Sequence, residues 1–265
     1  MKDHWKGKVA VITGASSGIG AALARKLASK GLQVVLVARR RERLENLAEE
    51  IRAAGGSARI LTADLSQETE RVCLCEQAGN ADVLINNAGL GWYGFGEHMS
   101  WETAREMLQV NVEAVVQLSL AFLVEMRRRN AGHIINIGSI SGGLPSQGIA
   151  LYGASKAFLD NFTTALHREL AGTHVHVSVV RAGPVKTEFV EAALALENSG
   201  HMPQEKIGLS PEKVAGRIWN LLEHPRRVIY VPGYLRVVPW LELTFGWLID
   251  RLGPLLLKRQ KNSHK

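Results

Sequence analysis

Cysteine is scarce in this chain of 265 residues, which contains only two. Cys73 and Cys75 stand two positions apart, a spacing that suits neither a zinc finger nor a disulfide framework. No HExxH motif, calcium loop or Cys/His cluster is present and the nine histidines are dispersed, so we expect no metal site. The first nine residues are polar, without an apolar signal segment. Reduced cysteines and a polar start favour a cytoplasmic protein.

The sequence also lacks strong segregation of charge. Its net charge of +7 is compatible with nucleic-acid, membrane or anionic small-molecule partners. The basic residues are nevertheless scattered, apart from Arg39-Arg40-Arg41 and the last eight residues, and no nucleic-acid-binding motif appears. We therefore expect no nucleic-acid partner. No Pro-rich linker or internal repeat divides the chain, which is long enough for one large domain.

Short apolar runs alternate with helical patterns along most of the chain. This alternation predicts an α/β fold, a single Rossmann-type domain with a doubly wound parallel sheet of about seven strands and helices on both faces. The apolar runs predicted to form strands are residues 8–13, 33–38, 57–63, 82–85, 133–137 and 228–231.

A glycine-rich turn follows the first predicted strand and precedes a helical pattern. Glycines let the backbone approach a pyrophosphate closely, and a helix N-terminus offers free N–H groups. Its place between strand and helix favours a phosphate-binding turn over a purely structural one. The residues predicted to bind a cofactor here are Gly14, Ser16, Ser17, Gly18, Ile19 and Gly20.

Three arginines follow the second predicted strand, where nucleotide folds that prefer NAD usually carry an acid. Cations at a helix start oppose the helix dipole, which suggests a role such as binding a 2′-phosphate. We predict that NADP(H) is preferred over NAD(H), with Arg39 as the main contact and Arg40 and Arg41 pointing outward. A solvated charged face is the alternative.

Two further strand ends are predicted to line the same cofactor cleft. Asp64 and Leu65 follow the third strand, where an adenine could bind. Asn87, Ala88 and Gly89 follow the fourth strand and suit a packed turn, although an ordinary Asn/Gly turn would read the same.

Tyr152 and Lys156 are four residues apart, which places them on one face of a helix. A cation beside a phenol lowers the pKa of the phenol, so such a tyrosine can exchange a proton with a substrate oxygen near neutral pH. An incidental surface pair is the alternative. Asn111, between two valines of a predicted long helix over residues 100–129, needs hydrogen-bond partners if it is buried.

Taken in order, these motifs resemble those of the short-chain dehydrogenase/reductase family, over roughly residues 8–230. The matching elements are Thr13-Gly14-x-x-x-Gly18-x-Gly20, Asp64, Asn86-Asn87-Ala88-Gly89, Asn111, Ser139 and Tyr152-x-x-x-Lys156. Ser139 precedes Tyr152 by thirteen residues, the spacing typical of the family.

The resemblance implies a role for each matching polar residue. Tyr152 would be the general acid/base, and Lys156 would lower its pKa and hold the nicotinamide ribose. Ser139 would hydrogen-bond the substrate oxygen, and Asn111 would hold a water that links Lys156 to a proton relay. The nicotinamide would exchange a hydride with a carbonyl or secondary alcohol.

The chain departs from the family pattern after the sixth strand, because Ala182 stands where a proline is usual and Pro184 follows two residues later. The resemblance still implies that the backbone of Val185 contacts the nicotinamide amide and that Thr187 lies near the phosphates. It further implies a lid over residues 187–210 and a homodimer or homotetramer.

The residues proposed to line the substrate pocket are mostly apolar, which favours a lipophilic ketone, aldehyde or secondary alcohol. For Trp92 and Tyr93, core packing is the alternative. The candidate substrate residues are Trp92, Tyr93, Ile140, Leu144, Gln147 and Phe189.

The chain changes character after a catalytic domain that we assign to residues 1–232. Residues 234–257 are rich in Leu, Val, Trp and Phe, but charges and prolines interrupt them, so they form a poor transmembrane span. We treat residues 233–265 as an apolar and basic extension. It could pack on the domain or on a neighbouring subunit, or it could contact a membrane surface as a peripheral segment.

An NADP(H)-dependent oxidoreductase acting on CH–OH groups is therefore the expected function. One alternative is a catalytically silent NADP(H)-binding sensor or scaffold. Another is an epimerase or dehydratase that reuses the Tyr/Lys pair, although such relatives usually carry a longer substrate domain.

Overall fold

A computed structural model describes residues 4–199 and 208–261, the side chains of residues 249 and 253–261 excepted. Seven parallel strands form one sheet in the order β3-β2-β1-β4-β5-β6-β7. The strands are β1 (Val9–Thr13), β2 (Gln33–Ala38), β3 (Ser57–Thr62), β4 (Val83–Asn86), β5 (Gly132–Ser139), β6 (Val175–Ala182) and β7 (Val228–Val231). The predicted doubly wound parallel sheet is confirmed.

Helices connect the strands and cover both faces of the sheet. They are α1 (Gly18–Ala28), α2 (Arg41–Ala53), α3 (Glu68–Ala78), α4 (Trp101–Leu108), α5 (Ala114–Arg129), α6 (Ala150–Glu169), α7 (Phe189–Leu194), α8 (Pro211–Glu223) and α9 (Val238–Lys261).

Each face of the sheet has its own apolar core, because successive strand residues point to opposite sides. Ala10 and Ile12 pack in the core beneath α1, α2 and α8. Val11, between them, packs in the core beneath α3, α5 and α6. Burial on both faces explains why the central strands are almost continuous runs of Val, Ile and Leu.

The strand order reverses between β1 and β4, which are neighbours in the sheet. The connections after these two strands leave in opposite directions, so a crevice opens at their carboxyl ends. The glycine turn after β1 and the Asn/Gly turn after β4 meet at this crevice.

The long helix predicted over residues 100–129 is divided into α4 and α5 by a π-helical turn, Gln109–Glu113. Such turns insert one extra residue into a helix and often occur at functional sites. This turn carries Asn111, whose side chain is fully buried. By length and composition the 101–129 stretch could also span a membrane. One side of it packs in the core, through Leu118, Phe122 and Met126.

Among the side chains of α9 that the structure describes, burial is greatest near the start of the helix. Val238 is buried, whereas Trp240, Leu243 and Trp247 are 70%, 80% and 64% exposed. The division of the chain at residue 232 stays a prediction. Residues 200–207 of the predicted lid and the final residues 262–265 lie outside the described part of the chain.

Candidate active site

The turn between β1 and α1 depends on glycine. Gly14 and Gly18 have φ angles of +64° and +54°, which side-chain-bearing residues rarely adopt. A Cβ on Gly20 would overlap the carbonyl oxygen of Gly14. Ser17 precedes α1 without capping it through its hydroxyl, so no side chain at that position occupies the N–H groups of the first helical turn.

The Asn/Gly turn after β4 is tied directly to the glycine turn. The Asn87 amide nitrogen, Nδ2, donates to the carbonyls of Thr13 and Gly14 at 2.9 and 3.3 Å. The Thr13 hydroxyl accepts from the backbone N–H groups of Asn87 and Ala88 at 2.9 and 3.0 Å. These bonds hold the floor of the crevice together across two strands.

A cavity of about 990 Å³ extends along the carboxyl edge of the sheet from this crevice. Of the predicted cofactor residues, all but Gly20 line it, and Gly20 packs behind the turn. The lining members are Gly14, Ser16, Ser17, Gly18, Ile19, Arg39, Asp64, Leu65, Asn87, Ala88, Gly89, Tyr152, Lys156, Val185 and Thr187. An open helix N-terminus, a close backbone turn and cations at one end fit a dinucleotide.

Three polar side chains converge at the other end of the cavity. Ser139 ends β5, while Tyr152 and Lys156 lie on successive turns of α6. The Ser139 hydroxyl is close enough to Tyr152 to act on its pKa as a hydrogen-bond partner. The Lys156 amine donates to the carbonyl of Ile137 at 3.0 Å and lies 5.7 Å from the centre of the Tyr152 ring.

Burial dominates the electrostatics of this cluster. It raises the pKa of Tyr152 to about 12, against the opposing effect of the Ser139 hydrogen bond. It lowers the pKa of Lys156 to about 8, against the opposing effect of Asp160. The expected downward shift of the Tyr152 pKa is therefore not found. The Lys156 amine hydrogen-bonds to a backbone carbonyl. Desolvation of the phenol on burial outweighs any effect of this nearby amine on the pKa of Tyr152.

Asn111 lies behind the cavity and not on its surface. Its amide nitrogen donates to the carbonyl of Leu90 at 2.9 Å and to the Ser155 hydroxyl at 3.1 Å. Its amide oxygen accepts from the N–H of Leu90 at 2.8 Å. Asn111 thus ties the π-helical turn to the segment after β4 and to α6.

Asp160 and Arg181, which the sequence analysis did not single out, form an ion pair behind Lys156. Arg181 Nε lies 2.9 Å from Asp160 Oδ2, and Arg181 also donates to the hydroxyl of Tyr230. Burial raises the pKa of Asp160 to about 6, while Arg181 and then Lys156 act to lower it. The i,i+4 spacing of Lys156 and Asp160 on α6 is a sequence signal that could have indicated this contact.

Comparison with known proteins agrees with this arrangement. The sequence profile described as short chain dehydrogenase matches residues 8–197. The chain belongs to the short-chain dehydrogenase/reductase family. It is therefore an NAD(P)-dependent oxidoreductase, as the resemblance implied.

Among the relatives of this dehydrogenase is an uncharacterised oxidoreductase of Mycobacterium bovis, 35% identical over 273 residues, with 99% of this chain and 75% of the relative covered. An NADP-dependent 3-hydroxy acid dehydrogenase of Salmonella typhi is 34% identical, with 83% of this chain and 91% of the relative covered.

Solved structures of the family resemble the whole fold. A short-chain dehydrogenase from Sphingobium yanoikuyae in complex with NADPH has a TM-score of 0.79 at 26% identity, with 96% of each chain covered. A family member from Burkholderia phymatum in complex with NAD has a TM-score of 0.84 at 29% identity, with 92% of this chain and 95% of that chain covered.

The arginines after β2 of this dehydrogenase do not all lie as expected. Arg39 borders the cavity but pairs with Glu106 at 3.0 Å and with Asp64 at 3.9 Å. Arg41 does point to solvent. Arg40 was expected to point outward, yet it lines the cavity, because the hydroxyls of Ser16 and Ser17 accept hydrogen bonds from its guanidinium.

The candidate substrate residues divide into two groups. Tyr93, Ile140 and Phe189 line the cavity, and the Phe189 ring centre lies 5.6 Å from that of Tyr152. Trp92, Leu144 and Gln147 are not among the lining residues. Trp92 is buried, and its indole N–H donates to the carbonyl of Glu197. Its position therefore matches the core-packing alternative.

Replacing Lys156 with methionine tests the burial effect. Because burial lowers the folded-state pKa of Lys156 to about 8 from 10.5, the charged amine opposes folding below pH 8, and this penalty vanishes as the pH rises to 10.5. We expect Lys156→Met to be more stable than the parent by about 1–3 kcal/mol at pH 7. The advantage should shrink between pH 8 and 10.5.

Urea unfolding at several pH values measures this difference. Lys213→Met, at an exposed lysine of α8, is the matched control and should change stability little at any pH. An advantage of Lys156→Met that does not depend on pH would contradict the electrostatic explanation.

Proposed function

We propose that this enzyme interconverts a carbonyl group and a secondary alcohol, with Tyr152 as general acid/base and NADP(H) as the preferred cofactor. The observation that carries the proposal is the convergence of the Ser139 and Tyr152 hydroxyls at one end of the cavity, beside Lys156 and in a largely apolar wall. The bound nicotinamide would supply or accept the hydride.

The side chains of the site suit proton transfer to a carbonyl oxygen. A phenol whose pKa is raised to about 12 is protonated at neutral pH, so Tyr152 can donate its proton. Ser139 would donate to the same substrate oxygen and stabilise the negative charge that develops there. Asn111 would position α6, and with it Tyr152, through its bond to Ser155. Such an intact proton-transfer set favours an enzyme over a silent sensor.

The NADP(H) preference is supported by the charge at the far end of the cavity. Arg39 and Arg40 both border that end, beside the Ser16 and Ser17 hydroxyls. Guanidinium groups with neighbouring hydroxyls are well suited to a 2′-phosphate.

A lipophilic substrate is supported by the apolar residues among those that line the cavity. Leu90, Tyr93, Ile140, Ile149 and Phe189 line the cavity near Tyr152. This surface gives a substrate apolar contact area and leaves its polar recognition to the reacting oxygen.

Exposed apolar side chains support self-association. Leu120 and Val124 on α5 and Phe158 on α6 are 46%, 67% and 43% exposed. Pairing of these helices between copies would cover them, and a homodimer or homotetramer is our proposal.

We further propose that α9 lies on the surface of a membrane and that the protein is cytoplasmic. Its exposed Trp240, Leu243 and Trp247 share one helix face, and the sequence at its C-terminal end, residues 258–261, is basic. A Cβ on Gly143 would lie 3.3 Å from Pro239, so α9 starts close to the substrate end of the cavity. A lipid-dissolved substrate would then have a short path to Tyr152.

Tyr152→Phe removes the proton donor and keeps the ring. We expect kcat to fall by about 10²–10⁴-fold while cofactor affinity stays within about twofold, since the role is acid/base catalysis. NADPH consumption against a panel of carbonyl compounds and cofactor titration measure the two effects. Tyr234→Phe, at an exposed tyrosine, is the control. Unchanged turnover in Tyr152→Phe would refute the mechanism.

Arg39→Asp places a carboxylate where a 2′-phosphate would bind. We expect the ratio of kcat/KM for NADPH to that for NADH to fall by about 10–100-fold, because a charge-assisted bond is lost and repulsion is gained. Arg41→Asp, at the solvent-facing neighbour, should leave the ratio unchanged. If both variants behave like the parent, Arg39 does not set the cofactor preference.

Replacing Trp240 and Trp247 together with serine tests the membrane proposal. We expect the parent protein to float with vesicles that contain phosphatidylglycerol, and the double variant to remain in solution. Trp101→Ser, at a tryptophan 67% exposed on α4, is the control. Light scattering should show the same oligomer for all three proteins. Loss of the oligomer in the double variant, or no flotation of the parent, would contradict membrane contact.

A further inference from the structure

Glu188, which stands just before α7 at the edge of the cavity, joins two walls of the cofactor cleft. Its carboxylate lies 3.0 Å from Arg40 Nη1, and Arg43 Nη1 contacts both of its oxygens at 2.8 and 2.7 Å. Arg40 and Arg43 belong to the β2–α2 region, some 145 residues earlier in the chain. Arg43 and then Arg40 lower the pKa of Glu188, which keeps it ionised at neutral pH.

Arg40 is the arginine best placed to exchange partners. Its Nε and Nη2 donate to the Ser16 hydroxyl at 3.1 and 2.9 Å, and Nη2 donates to the Ser17 hydroxyl at 2.8 Å. With Nη1 on Glu188, four of the five guanidinium N–H groups have acceptors, and the second N–H of Nη1 does not. A 2′-phosphate that binds beside Ser16 would draw the guanidinium towards itself, and Glu188 is the anionic acceptor with which it would compete for Nη1.

Glu188 does not become unpaired when Arg40 leaves it. Arg43 holds both carboxylate oxygens, so the exchange costs one exposed ion-pair contact and leaves the carboxylate neutralised. Arg39 has less freedom of this kind, because Glu106 and Asp64 already flank it.

We propose that Glu188 is a specificity-determining residue that occupies Arg40 until the 2′-phosphate of NADP(H) displaces it. The Glu188–Arg40 contact lowers the affinity for NADP(H) and leaves the affinity for NAD(H) unaffected. It also links phosphate binding to the first turn of α7. This inference rests on the NADP(H) preference proposed above.

The link reaches the substrate end of the cavity through Phe189, the next residue. The Phe189 ring packs against that of Tyr152 and over Gly91, where a Cβ would lie 2.8 Å from the ring. Loss of the Arg40 contact would leave Glu188 held to α2 through Arg43 and would therefore give the wall that faces the substrate more freedom to move. By reciprocity, a substrate that shifts Phe189 would alter the affinity for NADP(H) and not that for NAD(H).

Cofactor binding by Glu188→Gln tests the exchange, since glutamine keeps the size and removes the charge. We expect the Kd for NADP⁺ to fall by about two- to fivefold, the range that an exposed ion pair supports, and the Kd for NAD⁺ to stay within about twofold. Calorimetric titration measures both. Glu191→Gln, at an exposed glutamate one turn along α7 that forms no ion pair with any described residue, is the matched control and should change neither Kd.

Hydrogen exchange of the amides of residues 188–194 gives a readout that is independent of activity. In the parent protein, saturating NADP⁺ should change their protection relative to saturating NAD⁺, and in Glu188→Gln this difference should disappear. Weaker NADP⁺ binding by Glu188→Gln, equal effects on both cofactors, or the same result from Glu191→Gln would overturn the inference.

Failure of this inference is distinguishable from failure of the NADP(H) preference. If the parent binds NADP⁺ more tightly than NAD⁺ and Arg40→Ala removes the difference, the preference stands and Glu188→Gln alone decides the exchange. If the parent binds both cofactors equally and Arg40→Ala changes neither Kd, the preference and the exchange fail together.

Discussion

The close approach of the glycine turn to the end of β4 is the constraint on which the rest of this site depends. Gly14 and Gly20 leave room for the Asn87 side chain, which then bonds to the carbonyls of Thr13 and Gly14. A side chain at either glycine would push the turn away from β4 and break these bonds. Without them the crevice at the reversal of strand order would have no fixed floor, and the first turn of α1 would not face the cavity.

Local patterns in the sequence were sufficient to predict the parts of the site that lie on single elements. The glycine turn depends on its place between a strand and a helix, and the Tyr152/Lys156 pair depends on helical spacing. The alternation of strands and helices likewise predicted the sheet. β7 occupies the predicted residues 228–231, since a short apolar run between polar segments is a local signal.

Features that depend on distant contacts could not be read from those patterns. Arg40 turns inward because hydroxyls more than twenty residues earlier accept its hydrogen bonds. Trp92 is buried beneath a segment about a hundred residues later in the chain. The predicted lowering of the Tyr152 pKa was wrong for the same reason. The enclosure of the phenol is a property of the packed fold, which the spacing of two residues does not reveal.

The pairing of Val185 with Leu209 has a consequence for how this enzyme could diversify. The Lys186 N–H donates to the Leu209 carbonyl, and the Leu209 N–H donates to that of Pro184, so the two ends of the intervening stretch are joined at its base. The stretch between them, which begins with α7, is therefore joined to the rest of the domain at a closed base. Its length and composition could change, by insertion or by exchange with a homologous enzyme, while the nucleotide crevice keeps its shape.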